Sequence, residues 1–180
     1  MTTHDIVDDS THTDQLPDTS RPYVLQRDEG VHLHFLGTLA THKLTAGERS
    51  SMTAVEFDQP RGFGPPLHCH DDEDELIVVL DGEISFRSGD TEAIGRAGSV
   101  VHLPHGIPHT FQVISDTARM LTITSSAGST PRFDRFVGAL GEPTDRAVIP
   151  EPGEIDPHEV ASVGATFGIE TLGPPPAPLD

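Results

Sequence analysis

Short apolar runs, separated by Gly, Pro and Asp, fill the chain from residue 23 to about residue 125. Several of them alternate apolar and polar residues with a period of two, which is typical of half-buried β-strands. The predicted strands are residues 31–36, 52–57, 76–81, 83–87, 100–103, 110–114 and 120–124. Asp81-Gly82, between two of these runs, predicts a two-residue hairpin turn. Repeated short strands without helical patterns between them predict an all-β sandwich or barrel.

The pattern changes after the strands. Thr130-Pro131 predicts the N-terminus of a helix, and apolar residues then recur at i, i+3, i+4 and i+7 until Gly141. A second helix is predicted to begin at Asp156 and to end at Gly168. We expect irregular chain between the two helices and in the final GPPPAPLD.

The chain is expected to have three parts. Residues 1–22 are polar, acidic and interrupted by Pro, which predicts a disordered N-terminal arm. Residues 23–128 form the expected β-barrel, and residues 129–180 form a helical extension with a Pro-rich tail. With 180 residues, the chain has the length of one domain.

Charge excludes two classes of partner. The formal net charge is -18, which repels phosphate backbones and anionic lipid, so we expect neither nucleic-acid nor membrane binding. No apolar run reaches the ~18 residues of a membrane span, and the first residues lack the basic and apolar regions of a secretory signal. We therefore expect a cytoplasmic protein. The single cysteine, Cys69, excludes an internal disulfide framework, and we expect it to be a packed thiol.

Histidines carry the candidate chemistry. His68 and His70 lie on one face of an extended segment, so both imidazoles can bind one ion. Glu75 opens an apolar strand and shares a face with Ile77 and Val79, where a carboxylate is unfavourable unless it is paired or bound to a metal.

A fourth ligand candidate lies downstream. His109 opens a strand that is expected to return antiparallel beside the first two histidines. Three imidazoles and one carboxylate suit Fe, Mn, Co, Ni or Zn better than Mg or Ca. The sequence therefore predicts a site for one divalent transition metal, bound by His68, His70, Glu75 and His109.

At these positions the sequence resembles the cupin superfamily. The first cupin motif is matched by Gly62, His68, His70, Glu75 and Gly82, and the second by Gly98, Pro104, Gly106 and His109. Val113 stands where the second motif usually has Asn. The C-terminal part is similar to small single-domain cupins related to bacterial quercetin dioxygenases.

The resemblance implies a double-stranded β-helix, or jelly-roll barrel, with the metal inside. It also implies a dioxygenase that cleaves a flavonol, or a similar enolisable aromatic substrate, with O2. Glu75 would then be the base that removes the substrate's 3-hydroxyl proton. By the same analogy, we expect a homodimer.

Two other functions remain open. One is a metal-dependent isomerase, decarboxylase or lyase on a small organic substrate, with Glu75 or His102 as proton shuttle. The other is a non-catalytic cupin that binds a small molecule in a metal-dependent way.

The expected substrate pocket is apolar. Ile77, Val79, Phe111 and Val113 share the inner face with the candidate ligands, which favours an aromatic or otherwise apolar substrate. His102 is expected in the interior, as a packed histidine or beside the pocket.

The remaining histidines and acids have simpler interpretations. His32-Leu33-His34 repeats the His-x-His spacing but lacks a matching carboxylate. A histidine that faces the cavity, either behind the metal ligands or in contact with substrate, is therefore favoured over a second metal site. The other acids of the loop 71–74 are expected to be solvated.

Overall fold

Strands dominate the computed structural model, which describes residues 16–47 and 50–179. The first ten strands are β1 (Val31–Phe35), β2 (Thr38–Leu44), β3 (Met52–Pro60), β4 (His68–His70), β5 (Asp74–Asp81), β6 (Glu83–Ser88), β7 (Thr91–Arg96), β8 (Val100–Leu103), β9 (His109–Val113) and β10 (Thr117–Ser125). They are followed by α1 (Phe133–Leu140), β11 (Glu142–Pro143), α2 (Pro157–Thr166) and β12 (Ile169–Thr171). Each predicted strand is present, and its ends differ from the prediction by no more than 3 residues.

Two antiparallel sheets pack face to face. One has the strand order β11-β1-β2-β3-β10-β5-β8, and the other has the order β12-β4-β9-β6-β7. This arrangement is a jelly-roll sandwich, which confirms the predicted all-β fold with two short C-terminal helices.

Alternation along the strands separates the core from the surface. In β5, Glu75, Ile77 and Val79 are buried, whereas Leu76 between them is exposed. In β9, the buried inner residues are His109, Phe111 and Val113. Strand parity therefore places the candidate ligands on the same inner faces as the apolar core.

The predicted hairpin at Asp81-Gly82 is wrong. β5 pairs with β10 and β8, whereas β6 pairs with β7 and β9, so the turn carries the chain from one sheet to the other. Gly82 has φ +78°, a conformation that a side chain disfavours. Two strands that follow one another in the sequence need not pair with each other when each pairs with other strands of its own sheet.

The C-terminal segment contributes strands as well as helices. β11 pairs with β1, and β12 pairs with β4 along His68–His70. The expectation of irregular chain between the two helices is therefore wrong at β11, whereas β12 lies between the second predicted helix and the predicted irregular tail. Residues 173–179 have no helix or strand, as predicted.

The start of α1 depends on the acidic loop. The helix begins after Arg132, which has no side-chain cap, so the predicted cap at Thr130 is wrong. The Glu73 carboxylate instead accepts hydrogen bonds from the backbone N–H groups of Arg132 (2.7 Å) and Phe133 (3.3 Å). Glu73 is only 2% exposed, so the expectation of a wholly solvated acidic loop is wrong at this position.

Two expectations concern the ends of the chain. Most of the predicted N-terminal arm, residues 1–15, lies outside the described residues, and residues 16–22 contain no helix or strand. Within residues 16–47 and 50–179, no helix is long and apolar enough to cross a membrane.

Candidate metal centre and adjoining cavity

Four side chains from three strands meet inside the sandwich. β4 provides His68 and His70, β5 provides Glu75, and β9 provides His109, which lies opposite His68 in the strand register. One potential ligand atom from each residue lies within 4.8 Å of the others. His70, Glu75 and His109 are buried, and His68 is partly buried. The sequence predicted this group, and the structure brings all four together.

Hydrogen bonds to the backbone orient two of the imidazoles. The Nδ1 atoms of His68 and His109 lie 2.8 Å from the Pro66 carbonyl oxygen and 2.9 Å from that of Ile107. A carbonyl can only accept, so each Nδ1–H donates and each Nε2 turns toward the other ligand candidates. This arrangement is typical of metal-binding histidines, whose second nitrogen is held by the protein.

The carboxylate of Glu75 lies between two imidazoles. Its Oε2 is 3.0 Å from His109 Nε2 and 3.8 Å from His70 Nε2. Burial by itself would raise the pKa of Glu75, but His70 and the hydrogen bond from His109 outweigh burial and lower the pKa to about 2. Glu75 is therefore an anion at neutral pH.

The pKa values of His68 and His109 are shifted in opposite directions. Burial, assisted by the neighbouring His109, lowers the pKa of His68 to about 4. Burial also opposes the charged form of His109, but the hydrogen bond and negative charge of Glu75 raise the pKa of His109 above its ordinary value. His109 therefore holds a proton more readily than His68 does.

The buried cluster fits a divalent transition metal. Nε2 of His70 is buried and has no hydrogen-bond partner among the described residues, which is unfavourable unless another group binds it. Metal–ligand distances of about 2.1 Å place neighbouring ligand atoms about 3 Å apart and opposite ones about 4.2 Å apart, close to the spacing of this cluster. The three nitrogens and one carboxylate could bind Fe, Mn, Co, Ni or Zn.

A cavity of about 410 Å³ adjoins the cluster. His68, Glu75 and His109 line one part of it, and most of the remaining surface is aromatic, aliphatic or proline. Neither Arg nor Lys lines this cavity within the described part of the chain. Its volume lies within the range of sites that bind small organic molecules.

Comparison with known proteins identifies the central domain. The family model described as Cupin domain matches residues 55–124, the span that contains all four clustered residues. Residues 55–124 are a cupin domain. The C-terminal helices and β12 lie outside this match.

A curated relative of the cupin domain has a known activity. Quercetin 2,3-dioxygenase from Bacillus subtilis (strain 168) is 28% identical to this chain over 141 residues. The match covers 77% of this chain and 40% of that protein, so the chain spans about two-fifths of the length of this relative.

Solved structures share the fold of the cupin domain. KdgF from Halomonas sp. has a TM-score of 0.51 and 14% identity, and covers 59% of this chain and 94% of its own. An RmlC-like cupin from Shewanella frigidimarina NCIMB 400 has the same TM-score and identity, with 61% and 95% coverage. At this identity the likeness concerns the fold alone.

Two of the expected pocket residues line the cavity of the cupin domain. They are Ile77 and Phe111. Val79 and Val113 are buried in the core and do not line the cavity. Because Val113 lies outside the lining, its replacement of the usual Asn does not alter the cavity surface directly.

His102 is the clearest error among the predicted site residues. It is exposed, because the alternation of β8 buries Leu103 instead. In a strand of 4 residues, apolar neighbours on both sides of a histidine do not reveal which face is buried. His102 therefore lies neither in the core nor in the cavity.

The His32-x-His34 pair does not form a second metal centre in the described residues. His32 is buried and its ring nitrogens lie 2.9 Å from Thr41 Oγ1 and 3.1 Å from the Asp28 carbonyl oxygen. Neither histidine lines the cavity beside the cluster, so the favoured substrate contact is wrong. Cys69 is partly buried, and burial raises the pKa of its thiol, as expected for a packed cysteine.

Sequence reasoning missed one side of the cavity. Residues of α1, α2 and the chain around β12 close it, among them Phe133, Val160 and Ile169. The Phe133 ring lies 6.0 Å from the His70 ring and 6.2 Å from the Phe57 ring. Helical spacing indicated only that these residues pack, because the surface they pack against lies more than 50 residues away in sequence.

Proposed function

We propose that this chain is a metal-dependent dioxygenase that cleaves a flavonol, or a similar enolisable aromatic substrate, with O2. The observation that carries the proposal is the buried cluster of His68, His70, Glu75 and His109 beside a large apolar cavity. The relationship to Quercetin 2,3-dioxygenase supports this choice among the reactions of cupins.

The proposal assigns the four clustered residues as metal ligands. His68 and His109 would bind through Nε2, because their Nδ1 atoms already donate to carbonyls. His70 would bind through the Nε2 atom that has no other described partner. When bound, a divalent transition metal supplies Lewis acidity and open positions for oxygen ligands.

Glu75 is proposed as the base. Its carboxylate is ionised at neutral pH and lines the cavity, so it can accept a proton from a substrate hydroxyl at Oε1 or Oε2. Overall, both atoms of O2 enter the ring-opened product, and one ring carbon leaves as carbon monoxide.

The cavity supports an aromatic substrate. Phe35, Phe57, Phe63, Phe111 and Phe133 all line it, and buried aromatic rings favour stacked or edge contacts with another ring. An anionic substrate such as a sugar phosphate or oxalate would find neither Arg nor Lys on this surface in the described residues.

The test combines metal content with turnover. Protein loaded with Fe, Ni, Co or Mn is incubated aerobically with quercetin, and loss of flavonol absorbance and release of carbon monoxide are measured. We expect turnover with at least one metal. No change in absorbance with any of them would refute the flavonol proposal.

Variants separate binding of the metal from proton transfer. His109→Ala is expected to lose both metal and turnover, whereas Glu75→Gln should lose far more turnover than metal. His102→Ala is the matched control, because this exposed histidine should leave both unchanged. Full activity of Glu75→Gln at normal metal content would exclude Glu75 as the base.

Two other outcomes distinguish the alternative functions. Turnover of an organic substrate under strict anaerobiosis would indicate an isomerase, decarboxylase or lyase. A tightly bound organic ligand that remains unchanged in the presence of metal and air would indicate a non-catalytic binding protein.

A further inference from the structure

Two polar side chains in the cavity lack hydrogen-bond partners in the part of the chain that the structure describes. Gln59 and Thr122 are each 1% exposed, and both line the cavity. Oε1 of Gln59 and Oγ1 of Thr122 have no hydrogen-bond partner among the described residues. Neither residue belongs to the metal cluster.

Other buried hydroxyls on the same strands are satisfied. Thr53 Oγ1 on β3 and Thr124 Oγ1 on β10 lie 2.7 Å apart and share a hydrogen bond. On the neighbouring strand β2, Thr38 donates to the Phe35 carbonyl oxygen at 2.7 Å. Since a buried polar group without a partner is unfavourable, the two exceptions at the cavity surface indicate a partner that comes from outside the chain.

Strand register places the two groups at different distances from the cluster. Thr124 is paired with Glu75, and Thr122 is paired with Ile77, so Thr122 is a diagonal neighbour of Glu75 at about 7–8 Å. Thr124 is also paired with Thr53 on β3. On β3, Thr122 is paired with Val55, and Gln59 lies four residues beyond Val55, which corresponds to roughly 13 Å of strand.

We propose that Thr122 and Gln59 are specificity-determining residues that recognise the two ends of one elongated substrate. Thr122 hydrogen-bonds the part next to the metal-binding oxygens, and the Gln59 amide, which both donates and accepts, binds a hydroxyl at the remote end. The substrate class is therefore an aromatic compound with a hydroxyl group far from its enol. This assignment rests on the proposed flavonol function.

Binding without turnover tests the assignment. Zinc-loaded protein is titrated anaerobically with quercetin, which carries remote hydroxyls, and with 3-hydroxyflavone, which has none. Gln59→Leu should weaken quercetin binding by about tenfold and leave 3-hydroxyflavone binding unchanged. Thr122→Val, which keeps the shape of the side chain, should weaken both compounds to a similar degree, because it faces the part they share.

A matched variant controls for the chemistry of the substitution. Gln112 is partly buried, does not line this cavity, and donates to the Ala177 carbonyl oxygen at 2.8 Å. Gln112→Leu should leave the preference for quercetin unchanged. Gln59→Leu should also melt no lower than the wild type, because it removes an unpartnered polar group, whereas a lower melting temperature would show a structural role instead.

The outcomes separate this inference from the proposed function. If the wild type binds both flavonols and Gln59→Leu affects them equally, the role of Gln59 is refuted and the flavonol function stands. If the wild type binds neither, the flavonol function is refuted. The pair 2-naphthol and naphthalene, neither of which carries a metal-binding enol, then decides the role of Gln59, because only 2-naphthol should bind less tightly to Gln59→Leu.

Discussion

Substitution of Glu73 tests how the C-terminal extension is joined to the cupin domain. The carboxylate accepts two backbone N–H groups at the start of α1, across 59 and 60 residues of sequence, and is 2% exposed. It also lies in the electrostatic field of the helix N-terminus, which favours an anion. Glu73→Ala therefore removes both the acceptors and the charge.

The expected loss follows from these two hydrogen bonds. A hydrogen bond to a charged group contributes about 1.5–3 kcal/mol, and the bond from Phe133 is long, so we expect Glu73→Ala to destabilise the protein by about 3 kcal/mol. Glu73→Gln keeps one acceptor oxygen, so it should destabilise the protein by about half as much as Glu73→Ala. For a chain of this size, the Ala variant corresponds to a fall in Tm of about 6–12 °C.

Denaturant and thermal unfolding measure the effect, with Asp72→Ala as the control. Asp72 binds the Arg132 guanidinium at 2.6 Å, but its side chain is 40% exposed, so its loss should be below about 1 kcal/mol. If Glu73→Ala and Asp72→Ala are equally stable, the buried carboxylate does not cap α1. Ligand binding should weaken in parallel with stability, since α1 carries Phe133 into the cavity.

Three further predictions concern acid stability, a turn and the metal. Burial lowers the pKa of His42 to about 4, so the unfolded chain takes up a proton before the folded one as pH falls from about 6.5 to 4. Up to about 3 kcal/mol of stability should be lost between these two pH values. His42→Leu should flatten this part of a plot of unfolding free energy against pH. An unchanged slope would contradict the lowered pKa of His42. At Gly82, an added Cβ would lie 2.4 Å from the Thr117 carbonyl oxygen, whereas at Gly89 the nearest atom is 3.6 Å away, although φ is positive at both. In urea unfolding, Gly82→Ala should therefore destabilise the protein by about 3 kcal/mol or more, and Gly89→Ala by about 1 kcal/mol. Equal losses of stability would show that the turn at Gly82 accommodates the added methyl group without a clash. A transition metal at 100 times its Kd should stabilise the folded protein by about 2.7 kcal/mol, and a chelator should reverse the gain in calorimetry; no shift would argue against a bound ion.

The cluster of candidate metal ligands could be predicted from the sequence because each ligand is marked by the residues next to it in the chain. His68-x-His70 is placed on one face by strand parity, and Glu75 begins a strand whose alternation is unambiguous. The same reasoning failed for His102, which lies in a short strand with apolar residues on both sides. It also missed β2, where Thr38–Leu44 begins with five buried residues and shows no alternation.

The cavity could not be predicted because it depends on contacts between distant segments. Periodicity shows that α1 has an apolar face, but not which surface that face covers. Gln59 and Thr122 did leave a signal, since each is polar at an inner position of an otherwise apolar or paired strand face. Recognising them required knowing which inner positions border empty space rather than a neighbouring side chain.

The pairing of β12 with β4 has a consequence for biosynthesis. β4 is only 3 residues long and is joined to β9 at a single position, His68 with His109, so much of its backbone support comes from Ile169–Thr171. A ribosome must therefore translate a further hundred residues after the first two histidines before their strand has both neighbours. Tight loading of the proposed metal site should accordingly be post-translational, and nascent chains stalled before residue 169 should release an added metal ion readily.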